Sequence, residues 1–234
     1  MRGVGLLMKQ NDHSGLQHQA LGCRWTVRGL IPFSSGLLLL CLLSGCINLA
    51  TDYPRKNSYL LDISREDSAL AADPPGAILQ IREFRVSPRF DDTSLVYRMD
   101  ENTYVVDYYN RFLVAPDIMI SEEVYQWMES TGLFEHVLDR TSPLDPDYFL
   151  EGDVSVLYGD FTHVPPLARM ETEFTLLRDQ AEGSSLLLQK EYRAEILLSG
   201  RSPEALINGF GEALEAILTS FEKDLREIDL TQAP

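Results

Sequence analysis

The 234-residue chain sets 20 Lys and Arg against 36 Asp and Glu, a formal charge of −16, with 44% hydrophobic and 24% charged residues. That is a globular composition at a length suited to one domain with an appendage, which argues against wholesale disorder and against two full cores. The acidic balance argues against nucleic acid and against a protein held flat on an anionic leaflet by basic residues, and three cysteines argue against a disulfide framework.

The apolar residues begin unevenly. Residues 30–43, LIPFSSGLLLLCLL, carry no charge and follow Arg24 and Arg28. A basic flank before a short apolar core is the pattern of a secretory signal peptide. A bilayer span needs about 20 apolar residues, and this run is shorter and interrupted by Pro32, Ser34, Ser35 and Gly36. Leu43-Ser44-Gly45-Cys46 comes next and resembles the lipobox of bacterial lipoproteins. The small residues let a peptidase cut between Gly45 and Cys46. The thiol is the one side chain nucleophilic enough near neutral pH to take a diacylglyceryl group as a thioether, and the freed amine is then acylated. The alternative is a cysteine closing a core helix. The expectation is a signal peptide over residues 1–45 and covalent diacylglycerol and N-acyl lipid on Cys46, with no cofactor. Two or more acyl chains hold a protein stably without a basic patch. By analogy with enterobacterial sorting, Ile47 and Asn48 in place of an Asp after the cysteine favour the outer membrane. The leader is long before Arg24, so a start at Met8 is the competing reading.

Removing residues 1–45 takes four bases and one acid, leaving 16 against 35 and a net charge of −19. Cys23 and Cys41 go too, so Cys46 stands alone. Residues 46–57 then read as the lipidated cysteine and a tether, polar, mixed and broken by Pro54. About ten residues at ~3.3–3.6 Å each reach roughly 35 Å, enough to hold an acidic domain clear of the headgroups.

Residues 58–234 read as a single domain. Ser58–Ile63 is a strand candidate, and residues 64–76 form a loop around Asp73-Pro74-Pro75-Gly76. Ile78–Val86 alternates as a half-buried strand. Ser94–Arg98 and Thr103–Tyr109 flank an acidic, Asn-containing turn and read as a β-hairpin. A helix of about 14 residues opens at Pro116-Asp117, sets Ile120, Val124, Trp127 and Met128 on one face, and stops at Gly132. Phe134–Leu138 is a short strand. Tyr148–Phe161, Met170–Leu177 and Leu186–Leu198 are longer ones, the last two joined through hairpin chemistry at residues 181–185. The last helix has an N-cap at Ser202, Pro203 in the first turn and Glu204 on the N-terminal dipole. Ile207, Phe210, Leu214, Ile217, Phe221, Leu225 and Ile228 make its stripe over about six turns. The expected class is α+β, a largely antiparallel sheet with two main helices on one face.

Chemistry is sparse. After the leader only His136 and His163 remain, without H-E-x-x-H, a Cys/His cluster or a calcium loop, which argues against a metal site. Both read as exposed or hydrogen-bonded loop histidines. No G-x-S-x-G elbow supports a serine hydrolase. Asp145/Asp147 and Glu151/Asp153 read as the wet sides of turns and strands. Gly209-Phe210-Gly211 is a fragment of a phosphate-loop pattern, but it lies inside the helical stripe, where close helix packing explains it better. Tyr97, Tyr104, Tyr108 and Tyr109 are candidates for a partner or ligand surface, against the plainer alternative of cross-strand packing.

Residues 97–112, YRMDENTYVVDYYNRF, precede Ala115-Pro116, the helix through Trp127, Ser130-Thr-Gly-Leu-Phe134, Tyr148-Phe-Leu-Glu-Gly152 and Leu157-Tyr-Gly-Asp-Phe161. In that order they resemble the ABC-type transport auxiliary lipoprotein family, over roughly Ser58 to Phe221. Phe112 departs from the Trp expected there. The family accompanies transporters with mammalian-cell-entry (MCE) domains, including the paraquat-inducible type. The resemblance implies a non-catalytic lipoprotein subunit at the periplasmic face of the outer membrane, serving phospholipid or lipophile traffic between the two membranes. The ATPase, permease and MCE-domain protein would supply energy and conduit. Two roles follow: an adaptor docking the MCE-domain protein to the outer membrane, or a shuttle that itself binds lipid. The family also resembles in fold the lipoprotein that assists lipopolysaccharide insertion, so an outer-membrane assembly role competes. An envelope enzyme is the remaining reading. Homo-oligomeric assembly would suit a subunit that meets a conduit.

Overall fold

A computed structural model describes residues 55–65, 76–82, 84–181 and 183–230. The expected signal peptide, the lipobox with Cys46, most of the tether and most of the 64–76 loop lie outside these residues.

The longest strands organise the sheet. β7 (Tyr148–Asp160) pairs along its whole length with β8 (Leu167–Arg178), and β8 with β9 (Ser185–Leu197), all antiparallel. The other edge of β7 is served in succession by three shorter parallel strands. These are β2 (Ile78–Ile81), β3 (Arg85–Val86) and β4 (Ser94–Arg98), opposite Tyr148–Leu150, Asp153–Val154 and Gly159–Asp160. β5 (Tyr104–Phe112) returns antiparallel to β4, and β1 (Asn57–Tyr59) adds parallel to its end. β6 (His136–Leu138) lies outside β2. The two twelve-pair ladders are antiparallel and no parallel ladder exceeds three pairs, so the nine-stranded sheet is mixed but mostly antiparallel. With two helices, α1 (Pro116–Thr131) and α2 (Pro203–Leu225), the class is α+β as expected.

The helices cover one face. α2 packs on β8 and β9, α1 on β2, β3 and β6, and they touch each other. Period-2 alternation drives this: Met170, Phe174 and Leu176 of β8 are fully buried, while Arg169, Glu171 and Glu173 face the wet side. Phe174 is the centre of the core, 4.4 Å from the Phe221 ring of α2 and 5.6 Å from those of Phe84 and Tyr192. Each such ring removed from water contributes about 1.5–3 kcal/mol. On the wet face charges pair across strands: Arg169 with Glu195 at 3.2 Å and Arg193 with Glu171 at 3.8 Å.

The helix ends follow the sequence. Ser202 Oγ accepts the Ala205 N–H at 3.1 Å, Pro203 starts α2, and Gly132 closes α1 at φ 64°. The α2 stripe from Ile207 to Leu225 is buried, whereas Ile228 lies beyond the helix end. Gly209 allows a close crossing, as a Cβ there would lie 2.4 Å from Leu198 Cδ2 and 2.9 Å from Ala168 Cβ.

Three strands differ from expectation. The 58–63 candidate keeps only β1, because the chain then leaves the sheet as a strap across the helices. Its N–H groups bond helix side chains: Leu61 to Met119 Sδ, Ile63 to Glu123 Oε2 and Ser64 to Glu215 Oε1, each at 3.3 Å. Ile78–Val86 is two strands, since Phe84 donates its N–H to Ser121 Oγ at 3.0 Å and turns its ring into the core over Gly152. Phe134 is a buried core residue ahead of β6 rather than part of it, and His136 stands on that strand rather than in a loop.

Candidate interaction surface

β5 is unlike the other strands. Val96 of β4 pairs with Val106 and Ser94 with Arg111, so residues 107–110 of β5 face Leu95 alone. This wide bulge is built by Asp107. Its Oδ1 accepts the N–H groups of Tyr109 at 2.8 Å and Asn110 at 3.0 Å, and its Oδ2 accepts Asn110 Nδ2 at 2.9 Å and the Tyr97 hydroxyl at 3.1 Å. Burial alone would raise the Asp107 carboxyl, but these donors outweigh it and hold it below the usual range. Asn57 Nδ2 donates to Asn110 Oδ1 at 3.0 Å, and the Tyr59 hydroxyl donates to Glu204 Oε1 at 2.7 Å. The bulge, β1 and the start of α2 are thus tied together.

The four tyrosines separate here. Tyr97 is 8% exposed, its ring 4.9 Å from Phe161. Burial pushes its hydroxyl far above the ordinary value, with Asp107 adding to the shift. Tyr104 is 46% exposed and stands edge-on to Tyr158 at 5.5 Å. Tyr108 and Tyr109, thrown outward by the bulge, are 68% and 41% exposed and meet edge-on at 5.1 Å. Lys56 Nζ lies 4.0 Å from the Tyr108 ring centroid, within cation–π range. Val105, Val106, Leu113 and Val114 extend the exposed patch, and sequence reasoning missed them. The signal was present: Tyr104–Tyr109 has apolar residues at both parities, and a strand open on both faces satisfies that as well as a strand buried on both.

Elsewhere the fully buried acid is engaged in structure. Asp160 is fully buried, takes the Thr162 hydroxyl at 2.5 Å, and pairs with Arg169 at 3.0 Å and Arg98 at 3.4 Å. His163, on the loop after β7, lies 3.4 Å from the same carboxylate. Clefts of about 230, 580 and 970 Å³ carry charged linings that include Arg82, Glu122 and Arg140; Arg65, Glu215 and Lys223; and Arg85, Asp117 and Asp153. Among the described residues no cluster of His, Cys, Asp and Glu is arranged for a metal, and no helix is long and apolar enough to cross a membrane.

No curated protein matches the chain. Its fold is similar to the crystal structure of a Xanthomonas campestris protein of the DUF330 family, at TM-score 0.60 and 17% identity, over 71% of this chain and 92% of that one. A second crystal structure, of an uncharacterised protein, matches at TM-score 0.58 and 14% identity, over 75% and 99%. These likenesses speak to fold. The family model of the ABC-type transport auxiliary lipoprotein component matches residues 59–220, from the end of β1 nearly to the end of α2. The chain belongs to the ABC-type transport auxiliary lipoprotein component family.

Proposed function

We propose that this protein is the non-catalytic, lipid-anchored subunit of an ABC system that moves phospholipid or another lipophile between the inner and outer membranes. Anchored through Cys46 at the periplasmic face of the outer membrane, it acts as the adaptor that receives the system's MCE-domain protein. The family match over nearly the whole folded body carries this reading, and the Leu43–Cys46 lipobox in front of it supplies the anchor. The shuttle alternative needs a cavity for acyl chains, and ligand pockets of that kind are mostly apolar. The three clefts mix apolar walls with charged side chains and stand open to solvent, unlike an enclosed acyl-chain cavity, which favours the adaptor.

Two measurements test the two halves. Cys46→Ser is expected to abolish palmitate labelling and to leave an uncleaved or soluble species; unchanged labelling overturns the anchor. For the role, the folded body released by proteolysis in the tether is extracted and analysed by mass spectrometry. An empty body is expected, and stoichiometric phospholipid would replace the adaptor with a shuttle.

A further inference from the structure

The tether reaches the folded body at the exposed patch. Lys56 is the last residue before β1, and its ammonium covers the Tyr108 ring. β1 runs parallel to β5 with Asn57 opposite Asn110, so the chain arrives from the side of Tyr104–Tyr109. We propose that the exposed stretch Tyr104–Tyr109 of β5 is a membrane-docking surface, seating Tyr104, Val106, Tyr108 and Tyr109 among the phospholipid headgroups of the bilayer that holds the Cys46 lipid. The inference rests on the anchor of the proposed function, adds an orientation to it, and replaces the expectation that the tether holds the body clear of the headgroups.

Three observations carry it. The first is chemical. Tyrosine and branched aliphatic side chains lie open on both faces of β5, and an amphipathic ring with a polar tip is the side chain that favours the headgroup level. The second is geometric. Nine residues lie between Cys46 and Lys56, so even fully extended the chain between them spans at most roughly 35 Å. The patch at its end therefore stays within that reach of the bilayer. Tethering at that range gives an effective concentration on the order of millimolar, at which a weak partition is largely occupied. The third is charge. In a chain that carries −19 beyond residue 45, Arg55, Lys56 and Arg111 gather at this point as exposed bases. Five acids lie nearby: Asp107 and Glu204, hydrogen-bonded by Tyr97, Asn110 and Tyr59 but still ionised, Asp92 beside Arg111, and Asp100 and Glu101 at the hairpin turn. The three bases offset most of these acids, so this end is less strongly negative than the rest of the body and is the end that can approach a bilayer.

The test uses the full lipidated protein in phosphatidylcholine–phosphatidylethanolamine vesicles. Past the leader the sole tryptophan is the buried Trp127, so a new one reports its own surroundings. Tyr108→Trp is compared with Leu144→Trp, an exposed position in the loop before β7, at the other end of that strand from β5. With brominated phosphatidylcholine, the indole introduced by Tyr108→Trp is expected to lose about half its emission, as for a side chain ~5–10 Å into the interface, and the one introduced by Leu144→Trp none. Absence of quenching at 108 in protein that floats with the vesicles overturns the docking and leaves the anchor standing. Failure of the parent protein to float overturns both. Protection of the indole introduced by Tyr108→Trp that rises with protein concentration in lipid-free detergent assigns the patch to a second copy and also overturns the proposal.

Discussion

Gly209 is the one position where α2 could not carry a side chain without moving the sheet beneath it. Leu198 can rotate aside, but Ala168 is fully buried in β8 and has no rotamer to change. An alanine gains about 1 kcal/mol of helix propensity, and overpacking costs about 1–3 kcal/mol. Close contact with a Cβ as well as a Leu methyl places this site at the upper end. Gly209→Ala is therefore expected to lower stability by about 1–2 kcal/mol, read as a shift of the urea midpoint at unchanged m. Gly200, where an added Cβ meets nothing within 4 Å, is the control: Gly200→Ala should leave the midpoint within about 0.5 kcal/mol. The Gly-Phe-Gly fragment is thus a crossing device, as its place in the helical stripe implied.

The strap after β1 belongs to the element scale, since it holds α1 and α2 together. Arg65 donates Nε and Nη2 to Glu222 at 3.0 and 2.8 Å and Nη1 to the Ser130 carbonyl at 3.0 Å. Both side chains of the pair are about nine-tenths buried, and Arg226 bonds Glu222 from the next turn. Removing one partner of a buried pair leaves the other charge without compensation, at a cost of about 3–5 kcal/mol. Glu222→Ala is expected to fall in that range, and Arg226→Ala, at a more exposed partner, to cost about 1 kcal/mol or less. Equal losses would show that the strap does not lean on Glu222. This contact also marks the limit of what the sequence tells. The hairpin, both helices and the three long strands follow from local periodicity and caps, and the structure has them all. SYLLDI, where the strap begins, has strand chemistry and reads as a strand; the strap's partners, Glu123, Glu215 and Glu222, lie 60 to 157 residues away and leave no local trace. At the surface the tyrosines were legible as a group. Their division was not, because it depends on a bulge that Asp107 makes with its own side chain.

For the whole molecule the question is how so acidic a body responds to pH. Two effects oppose each other. Protonation relieves the self-repulsion of a strongly negative chain and so favours folding as pH falls. Against it stand carboxylates that the fold holds ionised. For Asp160 and Glu222 burial alone would raise the carboxyl, but Thr162 and Arg169, and Arg65 and Arg226, outweigh it; Lys190 and Tyr192 lower Asp224 directly. A carboxyl lowered in the folded state contributes stability in full above its unfolded value and loses it as pH falls through the folded one. Glu123 runs the other way: burial raises it, so its ionisation costs stability as pH rises through its folded value. Salt separates the two effects, since at physiological ionic strength charges more than about 8 Å apart are largely screened while buried pairs are not. In 0.15 M salt the urea midpoint is expected to fall steadily below about pH 5. Glu123→Gln should steepen that fall by raising the midpoint at neutral pH and leaving the acid end unchanged. A midpoint that climbs toward acid in salt would mean that repulsion governs the fold and that the buried pairs contribute little.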